Sequence, residues 1–148
     1  MQNILINRRL LGLQTIKSPA LYFGHPITEY GTEKEQELVQ KIKEEFPEYN
    51  VYNPNKSINL ENYKIWKQET GRGMNYYFNI LLPEMLGGIF LPFKDGMFGA
   101  GVVGEAEFLL ERNLPVWEIN YSGKIKDIDL DAKRVLSIAD TINRVHPK

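Results

Sequence analysis

The feature that most constrains this chain is a regular alternation of short apolar runs with longer amphipathic ones. Ala20-Leu21-Tyr22-Phe23-Gly24 is apolar, closes on glycine and meets His25-Pro26, the pattern of a buried strand ending in a turn. Thr32–Phe46 follows with helical spacing. Thr32 and Glu35 form a capping-box pair, Leu38, Val39, Ile42 and Phe46 recur on one face, and Pro47 stops the run. Tyr49–Tyr52 predicts a second strand, cut off by Asn53-Pro54-Asn55. The same alternation continues downstream. Residues 55–72 are polar and aromatic, with helical potential from Glu61 to Glu69, and Met74–Glu84 reads as a helix shortened by Pro83. Leu86–Leu91 reads as a third strand, Pro92–Gly101 as a glycine-rich loop and Gly104–Arg112 as a helix with Asn113 at its C-cap. Leu114–Ile119 reads as a fourth strand, Ser122–Leu130 as a polar connection, Arg134–Ile138 as a fifth strand and Ala139–Val145 as a closing helix.

Strands alternating with helices imply an α/β domain: a parallel sheet of about five strands with helices on both faces. Ligands of such sheets bind outside the carboxyl ends of the strands, where strand order reverses. At 148 residues the chain is expected to be one domain over 1–148, with residues 1–18 as an N-terminal arm or extra strand. Met1–Lys17 makes a poor secretory signal, because Asn7, Arg8 and Arg9 interrupt its apolar part. There is no cysteine, which excludes disulfides, thiolate metal sites and a cysteine nucleophile and fits a cytoplasmic protein. Eighteen basic against nineteen acidic residues leave no basic face for a nucleic-acid polymer, and no apolar run is long enough to span a membrane.

Three loops follow predicted strands and therefore lie on the ligand side: Gly24–Gly31, Asn53–Asn55 and Phe93–Gly101. The last is neither a Walker A loop nor a dinucleotide fingerprint, although glycines entering a helix expose N–H groups to an anion. Glu105 falls at the start of the helix that follows, where the spacing allows two readings: a capping acid stabilised by the helix dipole, or a carboxylate poised for chemistry. Tyr22 sits near the carboxyl end of its strand, where its hydroxyl could pack in the core or orient a carboxylate. His25 and His146 are the only histidines, no ligand cluster has metal spacing, and no Gly-x-Ser-x-Gly motif occurs. His25 could contact a phosphate or base, or simply fit the turn before Pro26.

Two segments resemble the nucleoside 2-deoxyribosyltransferases and the related deoxynucleoside 5′-monophosphate N-glycosidases. Leu21-Tyr22-Phe23-Gly24-His25-Pro26 is similar to their first strand and turn. Gly101–Val116, with Gly104-Glu105 and Asn113-Leu114-Pro115-Val116, is similar to their glycine-rich loop, glutamate and entry into the next strand. The resemblance covers roughly residues 20–120. It implies a Rossmann- or flavodoxin-like domain with no metal and no cofactor, a small-molecule nucleoside or nucleotide substrate and a homo-oligomer. It also implies that Glu105 attacks C1′ of the sugar and that Tyr22 hydrogen-bonds it. Gly24, His25, Pro26, Asn79, Asp95, Gly99 and Gly101 would then contact substrate.

There are three departures from the family pattern. Asn75 and Asn79 stand where the family has an aspartate that protonates the leaving base, and an amide cannot donate a proton as an acid does. His25 replaces a glycine, and Glu107 and Phe108 replace a glycine and a tyrosine. The expected activity is N-glycosidic cleavage or 2-deoxyribosyl transfer through Glu105, with a non-catalytic nucleotide-binding module as the alternative. A scaffold in which Tyr63, Trp66, Tyr76, Tyr77 and Phe78 form an oligomer interface is a further alternative.

Overall fold

The computed structural model describes residues 16–147. The expected N-terminal arm or strand lies, except for its last residues, outside the described part. Five strands form one sheet: β1 (Ala20–Gly24), β2 (Asn50–Tyr52), β3 (Gly88–Phe90), β4 (Val116–Ile119) and β5 (Ile125–Asp127). Their order is β2-β1-β3-β4-β5, parallel except for β5, which runs antiparallel to β4 at the edge. The chain therefore has the expected α/β fold. Strand order reverses around β1, so the crevice beyond Gly24 and Phe90 is the switch point at which such sheets bind ligands.

Residue alternation sorts the two faces. Leu21 and Phe23 of β1, with Ile89 and Leu91, pack on Leu38 and Ile42 of α1 (Glu33–Glu45). Ala20, Tyr22 and Phe90 point the other way. There they meet α3 (Met74–Tyr76), a π-helical turn over Tyr77–Leu81, and α4 (Ala100–Glu111). A period of two thus decides that Tyr22 faces α4. Gly24 follows the same alternation and must be glycine, because a Cβ there would lie 2.4 Å from the Phe90 ring.

Capping explains where several helices begin and end. The Thr32 hydroxyl accepts from the Glu35 N–H at 3.1 Å, as the capping-box reading requires. α2 (Ser57–Thr70) is longer than its helical potential suggests and stops at Gly71, which adopts a left-handed φ of 73°. α4 ends in a Schellman turn: Leu114 N–H reaches Leu109 O, Asn113 N–H reaches Leu110 O, and Asn113 has φ 60°.

Two expectations are overturned. Arg134–Ile138 is not a strand. Ala132–Arg134 forms a 3₁₀ turn, Val135 makes one isolated bridge to Phe98, and Ser137 caps α5 (Ile138–Val145). The fifth strand lies instead inside the stretch read as a polar connection, as an exposed edge hairpin arm with no apolar pattern to betray it. α4 also begins at Ala100 rather than Gly104, because residues 100–104 pack as helix despite two glycines. Among the described residues no helix is long and apolar enough to cross a membrane.

Candidate active site

A cavity of about 250 Å³ opens at the switch point. His25, Pro26, Ile27 and Tyr30 enter it from the loop after β1, and Phe93 and Gly99 from the loop after β3. Gly101, Val102 and Glu105 come from α4, Leu60 and Tyr63 from α2, Tyr77 from the π turn, and Thr141 and Val145 from α5. Tyr22 forms its floor. Most of this lining is aromatic or aliphatic, and among the described residues Glu105 is its one carboxyl.

Tyr22 and Glu105, 83 residues apart in the chain, meet directly: the buried Tyr22 hydroxyl donates to Glu105 Oε2. Strand alternation aims Tyr22 at α4, and the earlier start of α4 puts Glu105 in its second turn. A dipole stabilises a carboxylate only within about the first turn, so the capping reading of Glu105 fails. Burial instead raises its pKa from 4.5 to about 8, with the Tyr22 hydrogen bond acting in the opposite direction. Burial and the neighbouring Glu105 push the Tyr22 hydroxyl well above the usual phenol range, so it remains a donor.

His25 lines the cavity, but both ring nitrogens are committed within the protein. Nδ1 lies 2.9 Å from the Phe23 carbonyl, which can only accept, and Nε2 lies 2.7 Å from Glu35 Oε2. Neither is free for a phosphate, so His25 presents its ring, stacked on Phe23 and tilted against Tyr30. Burial lowers the His25 pKa against the opposing pull of Glu35. Burial alone would raise Glu35, yet the hydrogen bonds from His25, Asn55 and Gly31 hold it below the ordinary carboxylate range. Glu35 thus braces the β1 loop instead of closing the capping box with its side chain.

The structure brings Tyr22, His25, Pro26, Gly99, Gly101 and Glu105 to one cavity. It does not bring Gly24, Asn79 or Asp95 there. Gly24 is buried in β1 under Phe90. Asn79 is exposed, because the π turn directs Tyr77 and Ile80 inward and leaves 79 facing solvent. Asp95 is exposed and holds Arg144 through two hydrogen bonds of 2.9 and 2.8 Å, which keep its carboxyl below the usual range. It lines a neighbouring depression with Thr28 and Glu29.

Tyr30 and Phe93 lie in two of the loops expected on the ligand side but were not among the expected contacts, and Thr141 and Val145 come from a helix that gave no such signal. Sequence reasoning also placed Tyr76 and Tyr77 among exposed aromatics, whereas both are buried. Only their position three and four residues after Gly73, in an apolar helix, hinted at burial. Among the described residues no three histidine or carboxylate side chains converge as a metal site would need. Compared with protein families, curated proteins and solved structures, the chain matches none.

Proposed function

We propose that this protein breaks the N-glycosidic bond of a nucleoside or nucleoside 5′-monophosphate, by hydrolysis or by 2-deoxyribosyl transfer, with Glu105 as the group that meets C1′. The observation that carries this reading is the pairing of Tyr22 with Glu105 inside an aromatic cavity at the switch point. Loss of a base leaves positive charge on the sugar, and a carboxylate beneath C1′ stabilises that charge or bonds to it. Tyr22 holds one carboxyl oxygen and leaves the other free to face C1′. The aromatic walls suit a flat base. With water as acceptor the outcome is hydrolysis; with a second base it is transfer.

The test is base release, followed by chromatography, from nucleosides and their 5′-monophosphates, with and without an acceptor base. The wild type is expected to release base and Glu105→Ala to release none. No release from any substrate by the wild type overturns the catalytic reading. One observation favours a second reading, binding without turnover: among the described residues no other carboxyl lines the cavity to protonate the departing base. Nucleoside binding unchanged in Glu105→Ala, together with no turnover, would favour it.

A further inference from the structure

Resting on that reading, we infer that the Tyr77 hydroxyl is the hydrogen-bond donor the site offers to the departing base. Asn59 is fully buried on α2. Its Nδ2 lies 2.8 Å from the Pro54 carbonyl, and that oxygen can only accept. This contact sets the orientation of the amide. The same Nδ2 lies 3.1 Å from Tyr77 Oη, while Oδ1 accepts from the Tyr52 hydroxyl at 3.2 Å. Tyr77 Oη therefore accepts from Asn59, and its own proton is left over. Among the described residues that proton meets no acceptor.

Tyr77 lines the cavity with Glu105, and its ring is held between Tyr63, at 5.7 Å, and Tyr76, at 5.6 Å. The hydroxyl is thus fixed from behind and can donate forward. Burial and the nearby Glu105 raise its pKa, so it shares its proton without surrendering it. As the C1′–N bond breaks, the electron pair leaves with the base and a Glu105 oxygen closes on C1′. The Tyr77 O–H donates a hydrogen bond to the ring nitrogen that receives the pair. The base then takes its proton from water, and Tyr77 keeps its own. This assigns the leaving-group role to a phenol where the family pattern has a carboxylic acid.

The test is Tyr77→Phe, which removes only the oxygen. It is assayed on 2′-deoxyadenosine and on 7-methyl-2′-deoxyguanosine, and on their 5′-monophosphates. The base of the methylated pair leaves as a neutral species and needs no donor. We expect kcat on the deoxyadenosine substrates to fall by about 10–100-fold, the worth of one hydrogen bond to a charged group. KM should stay within about threefold, and the methylated substrates should lose less than about threefold. Asn59→Asp cannot donate to Tyr77 and instead captures its proton, so it should show the same dependence on the leaving group. Equal losses on both kinds of substrate would make Tyr77 a wall residue only, and undiminished release would remove it from the chemistry. Either result overturns the assignment while leaving wild-type release, and so the N-glycosidic reading, intact. A wild type that releases neither base removes both.

Discussion

Burying a carboxyl group favours its neutral form, and Glu105 carries that cost inside an aromatic cavity. Its folded-state pKa of about 8 lies above the ordinary 4.5, so the folded protein binds a proton that the unfolded chain releases. The resulting stabilisation is complete below pH 4.5 and is lost as pH rises through about 8. The swing is on the order of a few kcal/mol. Wild type should therefore lose thermal stability between pH 5 and 9, while Glu105→Gln, which has no proton to lose there, should follow a flatter profile. Melting curves at pH 5, 7 and 9 test this. A nucleophile must be ionised, so kcat/KM should rise with pH through a midpoint near 8. Tyr22→Phe removes a bond that lowers the Glu105 pKa, and the midpoint should move upward; a midpoint that stays or falls would contradict the role given to Tyr22. The identity of both residues is readable in the chain. Their contact is not, because it joins positions 83 apart.

Elements differ in how plainly the sequence announces them. β1 is visible as an apolar run, and α1 through Thr32 and the apolar spacing that follows. β5 is three residues long, and only Ile125 packs inward while Lys126 and Asp127 are exposed, so no periodicity marks it. The start of α4 is hidden for a different reason: Gly99 at the cap offers no side-chain acceptor, and the helix is held by packing. Two glycines on these elements should respond in opposite directions. Gly24→Ala forces a methyl group against Phe90 and should destabilise by about 1–3 kcal/mol in urea titration. Gly101→Ala meets no heavy atom within 4 Å and lies within a helix, so it should stabilise by about 0.5–1 kcal/mol. Its methyl group would stand on the cavity lining, so base release should drop even as stability rises.

At the scale of the molecule, the cavity is closed by a segment that the sheet does not contain. α5 supplies Thr141 and Val145, and Thr141 Oγ1 accepts from the Ala100 N–H at 2.9 Å. Arg134 ties the C-terminal segment directly to β4, beside the Phe98 bridge and the Arg144–Asp95 pair that hold it to the loop after β3. The Arg134 guanidinium forks onto the buried Glu118 of β4 at 2.9 and 2.8 Å and reaches the Asp129 carbonyl at 2.9 Å. Arg134→Met strands the Glu118 carboxylate and should cost about 2–4 kcal/mol, below the full value for a buried pair because Arg134 is partly exposed. The same variant should weaken nucleoside binding by loosening α5, which titration calorimetry would register; unchanged affinity would show that α5 is placed independently of this pair.

Local physics was sufficient for the class of fold. Short apolar runs, caps and glycine stops act over a few residues, so the alternation of β and α, the strand β1 with Tyr22 and the helix with Glu105 all follow from the chain itself. Tertiary structure decided what depends on long-range contact. It set the strand order, with its switch at β1, and brought Tyr22 onto Glu105. It tied the His25 nitrogens to Glu35 and Phe23, turned Asp95 and Asn79 to solvent, and drew Tyr77 inward onto Asn59. Those outcomes depend on which buried polar groups find partners, and in this protein the partners come from segments far apart in sequence.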